Sequence, residues 1–374
     1  MIERVAVFLP NWVGDAVMAT PTLRALRGHF GAGVEITGIM RPHVEEVVRG
    51  TPWLDTVWHY DPVSADPRLR WPALVARIRR ARIDISVHLT NDARSVVAAR
   101  IGRVRRRAGY VRNGRGWLLT TRLQPPRRGR ALAPIPALDY YLALAYALGC
   151  APESPRLDLA TTTRDEDAAD RAWAALGLGA AESPVVINSS GAFGSAKLWP
   201  EHACAALARR IADELGAPVV ILCGPAERER AARISAAADH PRVSTLGGQP
   251  LSIGLSKACV RRARCLVSTD SGPRHFGAAF DVPVVALFGP TDPAWTDTHH
   301  AREVRLAAPV ACRPCGQREC PLRHHACMEQ LSVDEVLRAV ARAIGAPAHR
   351  SGDAATAAHG RRVALHAPMP GARA

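Results

Sequence analysis

Lysine is scarce in this 374-residue sequence. Two of its 49 basic residues, Lys197 and Lys257, are lysines and the others are arginines. We interpret this bias, together with abundant alanine, as a genome-wide compositional drift. The net charge of +15 is therefore weak evidence for an anionic partner. A lysine in a polar loop is more informative here, because its compact point charge differs from the arginine that is otherwise the default.

Long apolar runs and a disulfide pattern are also absent. No window reaches the ~18 uninterrupted apolar residues of a membrane-spanning helix, and no cleavage-like site follows the first apolar run, at residues 5–9. The nine cysteines are irregularly spaced, which does not indicate a disulfide framework. We therefore expect a cytoplasmic protein, and its length with 48% hydrophobic residues predicts two domains.

Short apolar runs alternate with amphipathic stretches along the chain, which predicts parallel sheets covered by helices. The predicted strands are 4–9, 34–40, 56–60, 83–89, 185–189, 218–223, 265–268 and 283–288, and the predicted helices are 16–30, 43–49, 69–81, 93–101, 136–148 and 333–344. A polar segment, 161–167, starts the second series with Thr163 as the expected helix N-cap. We therefore expect two doubly wound α/β domains, 1–160 and 161–345, and a disordered tail, 346–374.

Ligands of such sheets bind beyond the carboxyl ends of the strands, so the loops there are the candidate sites. The first loop contains Asn11, Gly14 and Asp15 but lacks the G-x-G-x-x-G fingerprint of dinucleotide-binding domains. A hydride-transfer enzyme is therefore not indicated. Asp15 is either a functional carboxylate or a helix N-cap, and its position alone favours neither.

Two loops of the second half carry candidate nucleotide-binding groups. Ser189 and Ser190 precede Lys197 in a loop of small residues whose N–H groups and single positive charge suit a phosphate. The alternative is a solvated loop with an incidental lysine, since the pattern is not that of a P-loop. Glu227 follows the next strand, where it would bind a ribose diol or stabilise the start of a helix.

The segment 267–277 gives the sharpest local signal. A strand ends in Asp270 and Ser271, Gly272 makes the turn, and a proline follows at the first position expected of a helix. The N–H groups of that helix are then available to a pyrophosphate between Ser271 and His275. The alternative for His275 is a buried core histidine.

These residues together resemble glycosyltransferase family 9. The motifs occur in order between residues 5 and 344: Asn11-Trp-Val-Gly-Asp15, Ala196-Lys-Leu-Trp-Pro-Glu201, Ser268-Thr-Asp-Ser-Gly272 with His275, and Leu287-Phe-Gly-Pro-Thr-Asp292. The resemblance implies a GT-B fold, in which two Rossmann-like domains face each other across a cleft. It also implies an acceptor-binding N-terminal half, a nucleotide-sugar-binding C-terminal half, and a last helix that packs back toward the first domain.

The resemblance also implies roles for the site residues. Asp15 matches the general base and Asn11 lies on the acceptor side. The donor-binding set is Ser189, Ser190, Lys197 for the phosphates, Glu227 for the ribose, and Asp270, Ser271, Gly272 and His275 around the pyrophosphate and sugar. One departure is the segment 191–195, where family members often carry an acid and this chain has none.

The implied reaction is an inverting transfer that requires no cofactor. A heptose would pass from ADP-L-glycero-D-manno-heptose to heptosyl-Kdo-lipid A, the inner core of a lipopolysaccharide precursor, at the inner face of the inner membrane. The alternatives are a family 9 transferase with another nucleotide sugar or acceptor, and a noncatalytic nucleotide or anionic-glycan binding protein of the same fold. The presence of Asp15 argues against the noncatalytic alternative. The oligomeric state is not predicted.

A basic segment lies between Arg103 and Arg130, with ten arginines and no acid. Three of them, Arg105, Arg106 and Arg107, are candidates for binding an anionic glycolipid at a membrane surface. One alternative is a solvated loop. Nucleic acid is not the expected partner, because few aromatic residues here could stack on bases.

Four cysteines near the C-terminus have the spacing of metal ligands. Cys312, Cys315, Cys320 and Cys327 enclose His324 and His325, and they are candidates for a structural zinc site. The alternatives are reduced thiols and a regulatory disulfide.

Overall fold

Two parallel sheets of six strands each form the framework, and the computed structural model describes residues 2–191 and 193–345. The first sheet contains β1 (Arg4–Phe8), β2 (Glu35–Met40), β3 (Thr56–His59), β4 (Ile85–His88), β5 (Arg106–Tyr110) and β6 (Thr121–Leu123), and a short antiparallel pair follows it, β7 (Arg127–Arg128) with β8 (Ala131–Leu132). The second sheet contains β9 (Val185–Asn188), β10 (Val219–Leu222), β11 (Val243–Thr245), β12 (Cys265–Thr269), β13 (Val284–Leu287) and β14 (Glu303–Leu306). The prediction of two doubly wound α/β halves is confirmed.

Helices cover both faces of each sheet. In the first half these are α1 (Val13–Met18), α2 (Thr20–Phe30), α3 (Pro42–Val48), α4 (Trp71–Ala81), α5 (Ala93–Ile101) and α6 (Ala137–Ala147). In the second half they are α7 (Thr163–Ala175), α8 (Glu201–Glu214), α9 (Arg228–Ala238), α10 (Ile253–Arg261), α11 (Gly272–Ala279), α12 (Ala326–Glu329) and α13 (Val333–Gly345). No helix within the described residues is both long enough and apolar enough to span a bilayer.

The strand order is the same in both sheets. Each runs third, second, first, fourth, fifth, sixth, so the order reverses between β1 and β4 in the first sheet and between β9 and β12 in the second. A ligand crevice of an open α/β sheet lies at such a reversal, outside the carboxyl ends of the strands. The loops after β1, β9 and β12 therefore occupy the positions where ligands are expected.

Successive residues of the strands serve different cores, as the two-residue period of a strand requires. Val5 and Val7 of β1 face a core that continues through α1, α2 and α6 to α7, α10 and α11 of the second half. Ala6 and Phe8 face an outer core under α4 and α5. The two halves thus share an inner layer of helices, and near-continuous apolar strands suit this burial on both faces.

The shared layer includes a reciprocal contact between α3 and α10. The carboxylate of Glu46 accepts hydrogen bonds from the N–H groups of Ile253 and Gly254 at the start of α10. In return, the ammonium group of Lys257 donates to the carbonyl groups of Val47 and Arg49 at the end of α3 and of Ala160 between the halves. Lys257 is fully buried and lies 3.8 Å from a carboxylate oxygen of Asp165.

Several local predictions need correction. The helix expected at 16–30 begins earlier and is interrupted at Ala19, because Pro21 lies in the first turn of a separate helix. The N-cap of α7 is Thr162, which forms a capping box with Asp165, and not Thr163. The tail, 346–374, lies outside the described residues.

Two larger expectations are also corrected. The last helix, α13, does not follow the expectation that it packs toward the first half: its buried residues belong to the outer core of the second half, against α8, β12 and β13. The basic segment is not one continuous solvated loop. It contributes β5, β6 and β7, and Arg115 within it is buried and bonded to the carbonyl groups of Tyr110, Thr90 and Asp92.

Candidate active site

Asp15 lies in the first turn of α1, directly after β1. The helix begins at Val13 and its N-cap position is occupied by Trp12, whose side chain makes no capping bond. Asp15 is therefore not the N-cap, which was one of the two alternatives for this residue. A carboxylate in the first turn still interacts favourably with the positive end of the helix.

Two glycines let α1 of the first half touch α11 of the second half. A Cβ atom added at Gly14 would lie 2.6 Å from Cδ2 of His275, and one added at Gly272 would lie 2.9 Å from Cγ1 of Val13. Neither distance is compatible with a larger residue unless a neighbour moves. The starts of the two helices therefore meet, and they bring Asp15 next to the loops that follow β9 and β12.

The environment of Asp15 makes it a weaker acid than an ordinary aspartate. The pKa of Asp15 is raised to about 6: burial is the largest cause and the nearby charge of Asp270 adds to it, whereas a hydrogen bond from Tyr141 and the charge of Lys197 act against them. The hydroxyl of Tyr141 lies 3.2 Å from Oδ1 of Asp15. A carboxylate with such a pKa is ionised at neutral pH and able to accept a proton, which suits a general base.

The ammonium group of Lys197 lies beside the start of α11. It lies in a turn between β9 and α8, is buried, and donates to the carbonyl oxygen of Asp270 at 2.6 Å and to its Oδ2 at 2.8 Å. The ring of Phe193 lies 4.6 Å from the ammonium nitrogen. Lys197 is therefore held where the strand order of the second sheet reverses, between β9 and β12, and it is not a solvated side chain.

Asp270 organises the loops around it. Its Oδ2 accepts from Lys197 and from the hydroxyl of Thr291 at 2.7 Å, and its Oδ1 accepts from Thr296 at 3.0 Å and Arg274 at 3.3 Å. Burial opposes its ionisation, but the charges of Lys197 and Arg274 outweigh that effect and hold the pKa of Asp270 well below its usual range. This carboxylate is thus a fixed negative charge that connects the loops after β9, β12 and β13.

Hydroxyl and amide groups join the ends of β9 and β12. The amide of Asn188 donates to Ser268 at 2.9 Å and to Ser271 at 2.7 Å, and Ser190 donates to Oδ1 of Asn188 at 2.8 Å. Thr269 donates to the carbonyl group of Ser190 at 2.8 Å. Ser190 and Ser271, both predicted as donor-binding residues, are therefore next to each other.

Two buried polar atoms at this site have no hydrogen-bond partner within the described structure: Nδ1 of His275 and Oγ of Ser189. Burial and the charge of Arg274 lower the pKa of His275 to about 3, so its imidazole is neutral. Unsatisfied buried polar groups cost free energy, and a bound ligand that pairs with them offsets that cost.

Glu227 contacts the backbone of two loops. Its Oε2 accepts from the N–H of Gly224 at 2.7 Å, and its Oε1 accepts from the N–H of Gly191 at 3.3 Å. The first contact stabilises the turn before α9. This agrees with the alternative that Glu227 stabilises the start of a helix. The second ties this turn to the loop that carries Lys197.

The predicted acceptor residues do not come together. Asn11 lies at the carboxyl edge of the first sheet and lines a small cavity together with Arg41, Tyr60 and Asp92. Arg106 and Arg107 lie at the opposite edge, because Arg106 is paired with Ile85 at the amino end of β4. The guanidinium of Arg107 is bonded to the carbonyl group of Leu118.

The structure thus does not bring Arg105, Arg106 and Arg107 to the cleft. The physical reason is that they enter a strand, and the start of a parallel strand lies a full strand length from the edge where ligands bind. A role of these arginines in acceptor binding at the cleft is not supported by this placement.

The four candidate zinc ligands line one cavity without forming a coordination shell. Cys312, Cys315, Cys320 and Cys327 surround it with Ala196 and Pro290, and all nine cysteines of the chain are free thiols. Within the described residues, no three His, Cys, Asp or Glu side chains are arranged to hold a metal ion. The placement of these four cysteines therefore does not fit a structural zinc ion.

The cysteine segment packs directly on the loops of the site. The carbonyl group of Arg318 accepts from the N–H of Ala196 at 3.0 Å, and the N–H of Gly316 donates to the carbonyl group of Pro290 at 2.8 Å. This segment supports the loops after β9 and β13, on which Lys197 and Thr291 lie.

Several residues of the site were not predicted from the sequence, among them Tyr141, Phe193, Arg274 and Thr291. Tyr141 lies within the predicted helix 136–148, but a local pattern does not show which carboxylate its hydroxyl reaches. Arg274 is a single arginine among 47 in an arginine-biased chain, and nothing in the sequence distinguishes it. Thr291 lies in the motif at residues 287–292, but its hydrogen bond to Asp270 spans 21 residues, and a local pattern does not show it.

Comparison with known proteins identifies the family of this chain. The model of the family described as glycosyltransferase family 9 (heptosyltransferase) matches residues 71–326. The chain belongs to glycosyltransferase family 9. It is therefore a glycosyltransferase, and the resemblance inferred from its motifs is confirmed.

Similar proteins of the family cover most of the chain. Lipooligosaccharide heptosyltransferase 2 of Campylobacter jejuni is 23% identical over 90% of this chain and 98% of its own length. The structure of ADP-heptose lipopolysaccharide heptosyltransferase II of Escherichia coli superposes with a TM-score of 0.74 at 20% identity, covering 91% of this chain and 98% of that one. The family 9 glycosyltransferase of Veillonella parvula gives 0.76 at 21% identity, covering 91% and 97%. These structures confirm the GT-B fold.

Proposed function

We propose that this glycosyltransferase moves a heptose from ADP-L-glycero-D-manno-heptose to the heptosyl-Kdo-lipid A inner core of a lipopolysaccharide precursor. The names of its relatives in Campylobacter jejuni and Escherichia coli support the donor and the acceptor class. The observation that carries the proposal is the contact between α1 and α11, which places a carboxylate of raised pKa beside a buried, fixed lysine.

We assign the general base to Asp15. Its ionised carboxylate would take the proton of the acceptor hydroxyl as that oxygen attacks the anomeric carbon of the heptose. The bond from that carbon to the diphosphate breaks in the same step, so the configuration at the carbon inverts and ADP leaves. Residues 1–160 would hold the acceptor, since Asp15 and the cavity beside Asn11 belong to this half.

We assign the donor to residues 161–345. Lys197 lies where it would stabilise the negative charge that grows on the departing diphosphate, and the start of α11 adds the positive end of a helix. The unpaired Nδ1 of His275 and Oγ of Ser189 are available to donor oxygens. A neutral imidazole is able to donate one hydrogen bond without adding a charge that would compete with Lys197. Glu227 would meet the ribose, in addition to the backbone groups it already holds.

The test is a transfer reaction. The purified protein is incubated with ADP-heptose and a heptosylated Kdo-lipid A acceptor, and the glycolipid is measured by mass spectrometry. The proposal predicts a mass gain of one heptose and release of ADP. Because the loop at 191–195 lacks the acid that family members often carry, GDP- and UDP-sugars are tested in parallel. Transfer from one of those alone would reassign the donor within the family.

A further inference from the structure

Tyr141 contacts the carboxylate to which we assign the base. It lies on the buried face of α6 with Leu138 and Leu142, and its hydroxyl reaches across to Oδ1 of Asp15 at 3.2 Å. Burial and the charge of Asp15 raise the pKa of Tyr141 well above its usual value, so its hydroxyl stays protonated and donates. Within the described residues, no other side chain is hydrogen-bonded to this carboxylate.

The other charged groups around Asp15 are already committed to partners. Lys197 is bonded to Asp270, and the His275 imidazole is neutral. The remaining titratable groups on the helices that pack against α1 also have other partners. On α3, His43 contacts the carbonyl group of Asn11, Glu45 pairs with Arg49 and His59, and Glu46 accepts from N–H groups at the start of α10. On α6, Asp139 pairs with His299, Tyr140 donates to Asn91, and Tyr146 donates to the carbonyl group of Glu153. On α2 and α11, Arg24 pairs with Glu153, Arg27 pairs with Asp55, the ring of His29 packs edge-on against Phe30, and Arg274 pairs with Asp270 and Glu303. None of these is hydrogen-bonded to the Asp15 carboxylate.

We infer that Tyr141 is a positioning residue for the transfer reaction: its hydroxyl fixes Oδ1 of Asp15, keeps the carboxylate ionised and leaves Oδ2 for the acceptor hydroxyl. This inference rests on the proposed role of Asp15. A hydrogen bond donated to the charged form of an acid favours that form, whereas burial disfavours it. Without this bond, no hydrogen-bond donor would counteract the effect of burial on the pKa of Asp15. A larger fraction of Asp15 would then be protonated near neutral pH.

The test is the pH dependence of kcat/KM for the acceptor in the variant Tyr141→Phe. In the parent protein the rate should rise with pH through about pH 6, because the base must lose its proton. In the variant we expect the midpoint of this acidic limb to move up by about one pH unit, the effect of one hydrogen bond to a charged group. At pH 8.5 the loss of kcat should stay below about tenfold, since the base is ionised there in both proteins.

The neighbouring tyrosine provides a matched control. The hydroxyl of Tyr140 donates to Asn91 at 3.2 Å and its ring stacks on Tyr110, so Tyr140→Phe removes a hydroxyl from the same helix without touching Asp15. This variant should leave the midpoint unchanged. Replacing Tyr141 by 3-fluorotyrosine, a stronger donor, should shift the midpoint to lower pH.

Different results would overturn different parts of the account. If Tyr141→Phe lowers the rate equally at all pH values and keeps the parent midpoint, Tyr141 is a packing residue and the inference fails. If Asp15→Asn turns over at the parent rate, the assignment of the base fails independently of Tyr141. Affinity for ADP, measured by calorimetry, should be the same in both tyrosine variants and the parent, which shows that the donor half is intact.

Discussion

The two lysines of this chain show what a single residue contributes and how far the sequence reveals it. The scarcity of lysine singled out Lys197 in a polar loop, and the structure places it against Asp270 at the start of α11. Lys257 is equally rare, but it lies within a helix and not in a polar loop. The sequence therefore did not indicate that it bonds to carbonyl groups of the other half. Its contacts are separated by about 100 to 210 residues along the chain, and local patterns do not report them.

The role of Lys197 leads to a prediction for donor binding. Lys197→Ala should weaken ADP binding by about 10- to 100-fold, because it removes a charge-assisted hydrogen bond to phosphate. Calorimetry with ADP measures the effect, with circular dichroism as a check of folding. Arg318→Ala is the control, since Arg318 lies over the same Phe193 ring but makes no bond to Asp270. Unchanged ADP affinity in folded Lys197→Ala would remove this residue from the donor site.

Among the elements, the contact between α1 and α11 determines the site. The sequence predicted the start of α11 from its glycine and proline, and it located the loop that contains Asp15. It did not predict that α1 begins at Val13 or that β5 and β6 form, because no capping side chain marks the start of α1 and exposed arginines interrupt the apolar pattern of the two strands. Boundaries of this kind depend on tertiary contacts, here between Gly14 and His275.

Two glycine substitutions should therefore have opposite effects. Gly14→Ala places a methyl group 2.6 Å from the His275 ring, and we expect it to lower the free energy of unfolding by about 1–3 kcal/mol and to weaken ADP binding. Gly28→Ala in the last turn of α2 meets no atom within 4 Å and should raise that free energy by up to about 1 kcal/mol. Urea unfolding measures both. Equal stabilities of the two variants would show that α1 and α11 do not need this close approach.

At the scale of the whole molecule, the shared inner layer of helices joins the two halves. The two doubly wound halves were predictable from the alternation of strand and helix patterns, and the residue types of the loops indicated which edge of each sheet carries the site. The sequence did not show how the halves meet, because that depends on which helix faces pair. Glu46 of α3, which bonds to the start of α10, and Lys257 of α10, which bonds to the end of α3, make that pairing specific.

Removal of the buried lysine should weaken this joint. Lys257→Met leaves three carbonyl groups without their donor, and Asp165 loses its nearest positive charge, so we expect a loss of about 2–4 kcal/mol in the free energy of unfolding. The same exchange one turn further along α10, Arg261→Met, breaks a partly exposed pair with Glu166 and should cost less than about 1 kcal/mol. Urea unfolding compares them, and a parent-like Lys257→Met would show that the joint depends on apolar packing alone.

The most direct measurement of the central claim is the turnover of Asp15→Asn at saturating ADP-heptose, taken beside its affinity for ADP. The account predicts that kcat falls by roughly 10²–10⁴, the usual contribution of general base catalysis, while the dissociation constant for ADP stays within about twofold of the parent value. Turnover at the parent rate would contradict the account, because Asp15 would then only stabilise the first turn of α1 and the base would have to be sought elsewhere in the cleft.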